Sequence, residues 1–241
     1  MEPARQSSDP PGRTAVVAGA TGLIGGRLLA LLDAAPDYAR VIALVRRPLR
    51  QPGRRVESIA VDFDDLSGQL ADVRGSARRP LDVFCTLGTT IKAAGSQAAF
   101  RRVDFDLVLQ LAHWAKAAGA RRFIVVSALG AGARSATFYN RVKGEMENAL
   151  HALAFPVVVL RPSLLAGSRD EFRLGERIAL AVTAPLRSLI SASLRPVQAA
   201  DVAASMLLAA RDDQSPPLIE SAQMHGAARH LSQIKRGAET H

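Results

Sequence analysis

Tyr139 and Lys143 stand four residues apart in the stretch Tyr139-Asn140-Arg141-Val142-Lys143. On a helix that spacing puts a phenol and an ammonium on one face. Ser127 lies 12 residues before Tyr139, at the end of an apolar run. Together the three suit carbonyl reduction: Tyr139 gives its proton to the forming alkoxide, and Ser127 hydrogen-bonds the substrate oxygen. A free phenol with a pKa near ~10 is a poor proton partner at neutrality, and a lysine beside it lowers that value. Run backwards, Tyr139 is the base in alcohol oxidation. Lys143 can also hold the ribose of a nicotinamide cofactor.

Such chemistry needs a hydride carrier, and the start of the chain has a turn that suits one. Thr14-Ala15-Val16-Val17 reads as a strand. Ala18-Gly19-Ala20-Thr21-Gly22-Leu23-Ile24-Gly25 follows, and Leu23, Ile24, Leu28, Leu31 and Leu32 give one apolar helical face. Strand, glycine turn, helix is the context of a dinucleotide-binding loop. Gly19 makes the tight turn, Gly22 lets the backbone approach a pyrophosphate, and Gly25 lets the helix pack close to the strand. The helix N-terminus attracts the phosphates. The second strand ends at Val45. A carboxylate near this point, about 20 residues past the glycines, would select NAD. Here stand Arg46, 21 residues after Gly25, and then Arg47. A guanidinium accepts a 2′-phosphate that a carboxylate would repel, so the cofactor expected is NADP(H) rather than NAD. Arg27, on the first turn after the glycines, is a further candidate. Asp62 and Phe63, at the end of the third strand, belong to the same site, and Asp62 can accept from the adenine amino group.

The elements that must position these groups alternate along the chain. Strands are expected at Val41 to Val45, Val56 to Val61, Leu81 to Leu87, Phe123 to Val126 and Val157 to Leu160. Helices are expected after the glycine turn to about Ala35, at 96–118 and at 139–153. Phe100, Val103, Leu107, Leu111 and Trp114 fall at helical spacing in the second of these. Alternation of this kind predicts an α/β fold, a Rossmann-type doubly wound parallel sheet with a small C-terminal substrate or cap region. Ligands bind at the carboxyl ends of the strands in such sheets, where the residues above lie. Residues 1–12 read as a disordered leader, 13–226 as the dinucleotide-binding domain with cap elements at about 168–226, and 227–241 as a frayed polar tail. Within the cap, Glu171 to Ala184 reads as helical and Ala199 to Arg211 as a helix. The apolar stretch Pro185 to Leu194 reads as a helix-loop packed on the core, with a lid, a dimer surface or a membrane contact as alternatives. Pro217 to Glu220 reads as a last strand.

The formal net charge is +9, carried by 27 arginines and only 4 lysines spread along the chain. No basic block reaches five residues and aromatics are 5%, which argues against a dedicated nucleic-acid binder, since these interleave basic and stacking side chains. The single cysteine, Cys85, excludes a disulfide framework and a multi-cysteine metal site, and no metal is expected. There is no visible signal peptide, and no apolar run reaches the ~18 residues a spanning helix needs. The expectation is a soluble cytoplasmic protein with a small-molecule substrate. A protein partner or a homodimer stays open.

These motifs resemble the short-chain dehydrogenase/reductase superfamily, and Thr21-Gly22-Leu23-Ile24-Gly25-Gly26 is similar to the T-G-x-x-G-x-x-G of its extended or atypical branch, departing from it at the last glycine. Cys85-Thr86-Leu87-Gly88-Thr89-Thr90, Val103-Asp104-Phe105-Asp106, Tyr139-Asn140-Arg141-Val142-Lys143-Gly144-Glu145 and Leu160-Arg161-Pro162-Ser163 look like the small atypical group that contains the human Tat-interacting oxidoreductase and its bacterial relatives. The resemblance spans residues 13 to 221. It implies a Rossmann fold, NADPH binding and a Ser127, Tyr139, Lys143 triad. It also implies that Leu87, Gly88 and Thr89 line the cofactor and that Pro162 and Ser163 lie near the nicotinamide. Two departures stand out. Asp104 occupies a place where many extended members carry Asn, which weakens their proton relay here. The chain is also shorter than the sugar-nucleotide epimerases, which argues against a bulky substrate. The function expected is an NADP-dependent oxidoreductase acting on a small carbonyl or alcohol. The alternatives are an NADPH-binding regulatory or assembly protein with little turnover, and an epimerase or dehydratase.

Overall fold

The structure, a computed structural model, describes residues 12–63, 69–70, 80–166 and 194–239. Its first strand, β1 (Arg13–Ala18), buries every side chain after Arg13, as a strand covered on both faces must. After the glycine turn comes α1 (Leu23–Asp33), then β2 (Tyr38–Val45), β3 (Val56–Ala60) and β4 (Leu81–Cys85). Next are two short helices, α2 (Ile91–Ala94) and α3 (Gln97–Arg101), a π-helical turn (Arg102–Asp106) and α4 (Leu107–Ala117). β5 (Arg122–Val126), α5 (Phe138–His151) and β6 (Val157–Arg161) complete the part that carries the catalytic candidates. A small pair, β7 (Leu165–Ala166) and β8 (Val197–Gln198), precedes α6 (Ala199–Arg211), β9 (Leu218–Glu220), α7 (Ser221–Met224) and α8 (Ala227–Glu239).

The main sheet has seven strands in the order β3-β2-β1-β4-β5-β6-β9, all parallel. From β1 the chain winds outward to β3, then crosses back to β4 and winds the other way. This is the doubly wound Rossmann-type sheet expected. The reversal between β1 and β4 opens a crevice at their carboxyl ends. Side chains alternate across the sheet with period two. Ala15 and Val17 face a core shared with Leu28, Leu32, Val202 and Met206, and Val16 and Ala18 face one shared with Val108, Leu111, Met146 and Leu150.

The opposite end of the sheet is tied by charge. Asp82 is fully buried, accepts from Tyr38 Oη at 2.7 Å and pairs with Arg121 at 3.0 Å. Burial, with Asp82 beside it, pushes the Tyr38 phenol far above its usual range.

Two local expectations change. The helix at 96–118 is not regular throughout: the π turn interrupts it. Asp104, four residues after Phe100 and three before Leu107, takes the fully buried position between them, and Val103 is half-buried. Residues 227–239, expected as a frayed tail, form α8, with Ala227 and Leu231 buried against the core shared with α6. The expectations for residues 1–11, Glu171 to Ala184 and Pro185 to residue 193 lie outside the described residues.

Candidate functional site

The glycine turn is built so tightly that side chains are excluded. Gly19 sits at φ +79°, a left-handed conformation that favours glycine, and a Cβ there would lie 2.5 Å from the Thr86 carbonyl. A Cβ on Gly25 would lie 2.2 Å from the Gly19 carbonyl oxygen. Gly22 donates its N–H to Gly19 O at 3.0 Å and caps α1, which has no side-chain cap. The first-turn amides thus keep their donors for an anion. Thr86, directly after β4, locks the arrangement: its one hydroxyl proton is shared between Ala18 O at 2.9 Å and Gly19 O at 3.1 Å.

A groove of about 910 Å³ runs over the ends of β1, β2, β3 and β4. The structure brings together on its wall Gly19, Thr21, Gly22, Arg46, Asp62, Phe63, Leu87, Gly88 and Thr89 of the expected set, with Arg102 beside them. Arg46 is exposed at the rim, directly after β2. Leu23, Ile24, Gly25 and Arg47 are not on this wall: Ile24 and Gly25 are buried in the packing of α1, and Leu23, Arg47 and Arg27 are exposed.

Tyr139 and Lys143 share α5, as expected. The Tyr139 ring leans on Phe100, centroid to centroid 5.3 Å. Lys143 is 3% exposed and its Nζ lies 2.8 Å from Asp104 Oδ1, itself 1% exposed. The contact is a buried ion pair. Asp104 Oδ2 accepts the Thr89 N–H at 2.9 Å, and Lys143 Nζ reaches Val126 O at 3.5 Å. Burial pulls the Lys143 ammonium down, but Asp104 and then Tyr139 outweigh it, so its pKa rises above the usual lysine value. Cys85, at the end of β4, is buried and pushed up to about 12, mainly by burial. It is a neutral neighbour.

Ser127 follows β5 and is 4% exposed. Its hydroxyl donates to Glu147 Oε1 at 2.5 Å, and Arg161 clasps the same carboxylate, Nη2 to Oε2 at 2.5 Å. A hydroxyl has one proton to give, so in this arrangement Ser127 has none for a substrate oxygen. Pro162 and Ser163 lie after β6 and are not on the groove wall. Pro162 O accepts from Leu129 N–H at 2.8 Å, and Ser163 Oγ donates to Arg195 O at 2.5 Å, pinning the chain that leads into β8.

Sequence reasoning passed over Thr86, Arg102 and Glu147, and read Asp104 only as a departure from a motif. Thr86 stood inside a quoted motif and directly after β4, which was a usable signal. Glu147 stands one helical turn past Lys143, but nothing local foretells a partner on β5. Among the described residues no cluster of three or more His, Cys, Asp or Glu is placed to hold a metal ion, and no helix is long and apolar enough to cross a membrane.

A family model described as NAD(P)H-binding matches residues 19–213. Protein FMP52-1, mitochondrial, of Scheffersomyces stipitis is 35% identical over 158 residues, 65% of this chain and 69% of that protein. Protein FMP52, mitochondrial, of Eremothecium gossypii is 38% identical over 170 residues, 70% of this chain and 73% of that protein. A solved oxidoreductase of the short-chain dehydrogenase/reductase family from Burkholderia thailandensis superposes with a TM-score of 0.64 at 18% identity, covering 94% of this chain and 98% of that one. At that identity the likeness is one of fold. These relatives correct two expectations. They carry the FMP52 name, not that of the Tat-interacting oxidoreductase. Their names also say mitochondrial, which overturns the expectation of a cytoplasmic protein. That expectation rested on the lack of a signal peptide and of a spanning run, and neither tells one aqueous compartment from another.

Proposed function

The chain belongs to the NAD(P)H-binding family and to the family of the FMP52 proteins, and on that premise we propose that it is an NADP-dependent oxidoreductase acting on a small carbonyl or alcohol. The observation that carries the proposal is the buried Lys143, one helical turn from Tyr139 and joined through Asp104 to the Thr89 amide at the groove wall. A dinucleotide fits the residues present: two glycines leave no room for a Cβ, α1 has no side-chain cap, and the groove opens directly over them. When bound, NADPH supplies the hydride.

In this reading Gly19, Thr21 and Gly22, with the first-turn amides of Leu23, Ile24 and Gly25, hold the pyrophosphate. Arg46 takes the 2′-phosphate, with Arg47 next to it in sequence. Asp62 and Phe63 face the adenine. Leu87, Gly88 and Thr89 line the path toward the nicotinamide, and Pro162 and Ser163 close its far side. Tyr139 protonates the substrate oxygen and Lys143 orients the ribose. Ser127 has to turn from Glu147 before it can donate to the substrate.

Calorimetric titration with NADPH and NADH tests the cofactor half. Binding of NADPH at least tenfold tighter is expected, and equal affinity would remove Arg46 from the account. A panel of small aldehydes and ketones tests the redox half.

One observation favours a second reading, a protein that binds NADPH and regulates or assembles a partner with little turnover. The Ser127 proton is committed to Glu147, which leaves the substrate oxygen one donor short. Cofactor-dependent partner binding without turnover on the carbonyl panel would select that reading.

A further inference from the structure

We infer that Asp104 is a positioning residue: one buried carboxylate pairs with Lys143 and holds the Thr89 amide, so that Tyr139 faces a paired lysine rather than a free cation. The inference rests on the reading of Tyr139 as the proton donor.

The geometry has three parts. Asp104 Oδ1 is 2.8 Å from Lys143 Nζ, and both side chains are almost fully buried. Asp104 Oδ2 takes the Thr89 N–H, and a Cβ on Gly88 would lie 3.5 Å from Oδ1, so the groove-lining loop rests on this carboxylate. Asp104 stands four residues after Phe100 and three before Leu107, so it shares their buried stripe, within the π turn between α3 and α4. π turns inside helices are frequent at functional sites.

Among the described residues the groups that face the pair are few. From β4 there is Cys85, a buried neutral thiol. From β5 there is the Val126 carbonyl. From α5 itself there is Tyr139, while Glu147 is taken by Ser127 and Arg161. Glu145, also on α5, pairs with Arg101 of α3. Asp104 is therefore the group that balances the Lys143 charge. A paired ammonium still donates hydrogen bonds and still orients, but its pull on a neighbouring phenol is largely cancelled. Relative to a site with an unpaired lysine, the protonated phenol is favoured, which is the form carbonyl reduction uses. Movement of the Leu87-Gly88-Thr89 loop when a cofactor seats would pass to Lys143 through the same carboxylate.

The test needs no substrate. The chain has two tyrosines, and Tyr38 is held protonated by burial and Asp82, so phenolate absorbance through the mildly alkaline range reports Tyr139. Asp104→Asn keeps an acceptor for the Thr89 amide and removes the charge. The Tyr139 ionisation constant is expected to rise about tenfold or more, and the double variant Asp104→Asn with Lys143→Met is expected to return it to within about threefold of the unmodified protein. An ionisation constant unmoved in Asp104→Asn overturns the inference. If that variant does not fold, the double variant, with neither charge buried, decides. A constant within threefold supports the pairing, and a fall of tenfold or more means that Lys143 had been acting as a free cation. Turnover is not read, so the pairing and the proposed activity can fail separately.

Discussion

Ser127 Oγ donates to Glu147 Oε1 at 2.5 Å, and Glu147 is in turn clasped by Arg161, which also reaches Glu220 at 3.4 Å. This chain of contacts ties the end of β5 to α5, β6 and β9. It engages the Ser127 hydroxyl at the place where a substrate donor was expected. Ser127→Ala should lower turnover less than tenfold, while Glu147→Gln, which leaves Arg161 only its longer contact with Glu220, should lower the melting temperature by several degrees, toward the ~3–5 kcal/mol typical of breaking a buried pair. Parallel melting curves and initial rates would check both. A loss above a hundredfold in Ser127→Ala would return Ser127 to the reacting groups.

Two neighbouring glycines should respond in opposite ways. A Cβ on Gly25 would strike Gly19 O at 2.2 Å and Thr86 Oγ1 at 2.8 Å, whereas one on Gly26 has its nearest neighbour at 3.8 Å. Gly25→Ala is expected to cost about 1–3 kcal/mol or more through overpacking and to abolish NADPH binding. Gly26→Ala is expected to be neutral or to stabilise by up to about 1 kcal/mol, because alanine suits a helix interior better than glycine. Denaturant melts and calorimetry on the pair would show it.

The first of those glycines was legible because its demand is local: strand, turn and helix follow one another in sequence. The same holds for Arg46, Asp62 and Phe63, each placed by the end of a strand whose apolar run was plain. The Tyr139–Lys143 pair was legible because helical spacing is regular. Asp104 was not, since periodicity is read from apolar residues and a carboxylate on the same face is passed over; its burial depends on Lys143, which meets it only through the packing of α5. The bond between Ser127 and Glu147 was not legible, because Glu147 lies 20 residues on and meets it only through the packing of α5 on the sheet.

Arg46 should control cofactor choice. It is exposed at the groove rim next to the end of β2. A charge-assisted hydrogen bond contributes roughly 1.5–3 kcal/mol, so Arg46→Ala should weaken NADPH binding by about 10- to 150-fold with NADH changed by less than threefold. Calorimetry with both nucleotides would measure it. Equal loss for both would mean that Arg46 acts on the fold of the rim and not on the phosphate.

Acid should loosen the end of the sheet opposite the groove. Asp37 pairs with Arg211 at 2.5 Å. Burial raises the Asp37 carboxyl, but Arg211 more than offsets this, and its pKa falls below the ordinary 3.8. A depressed carboxyl contributes stability that is present above its unfolded value and lost as pH falls through its folded value. The melting temperature should therefore drop between about pH 5 and pH 2, and Asp37→Asn should be less stable at pH 7 but show a shallower acid loss. An identical acid profile in the variant would remove Asp37 from the account.

The central claim is that Tyr139 donates the proton in an NADPH-dependent reduction. The most direct measurement is NADPH consumption on the carbonyl panel by the unmodified protein and by Tyr139→Phe, with NADPH affinity measured on both. General acids contribute about 10²- to 10⁴-fold, so the account predicts a fall of at least a hundredfold in turnover with NADPH affinity within about threefold. Turnover that survives in Tyr139→Phe, or a panel on which the unmodified protein consumes no NADPH, would contradict it.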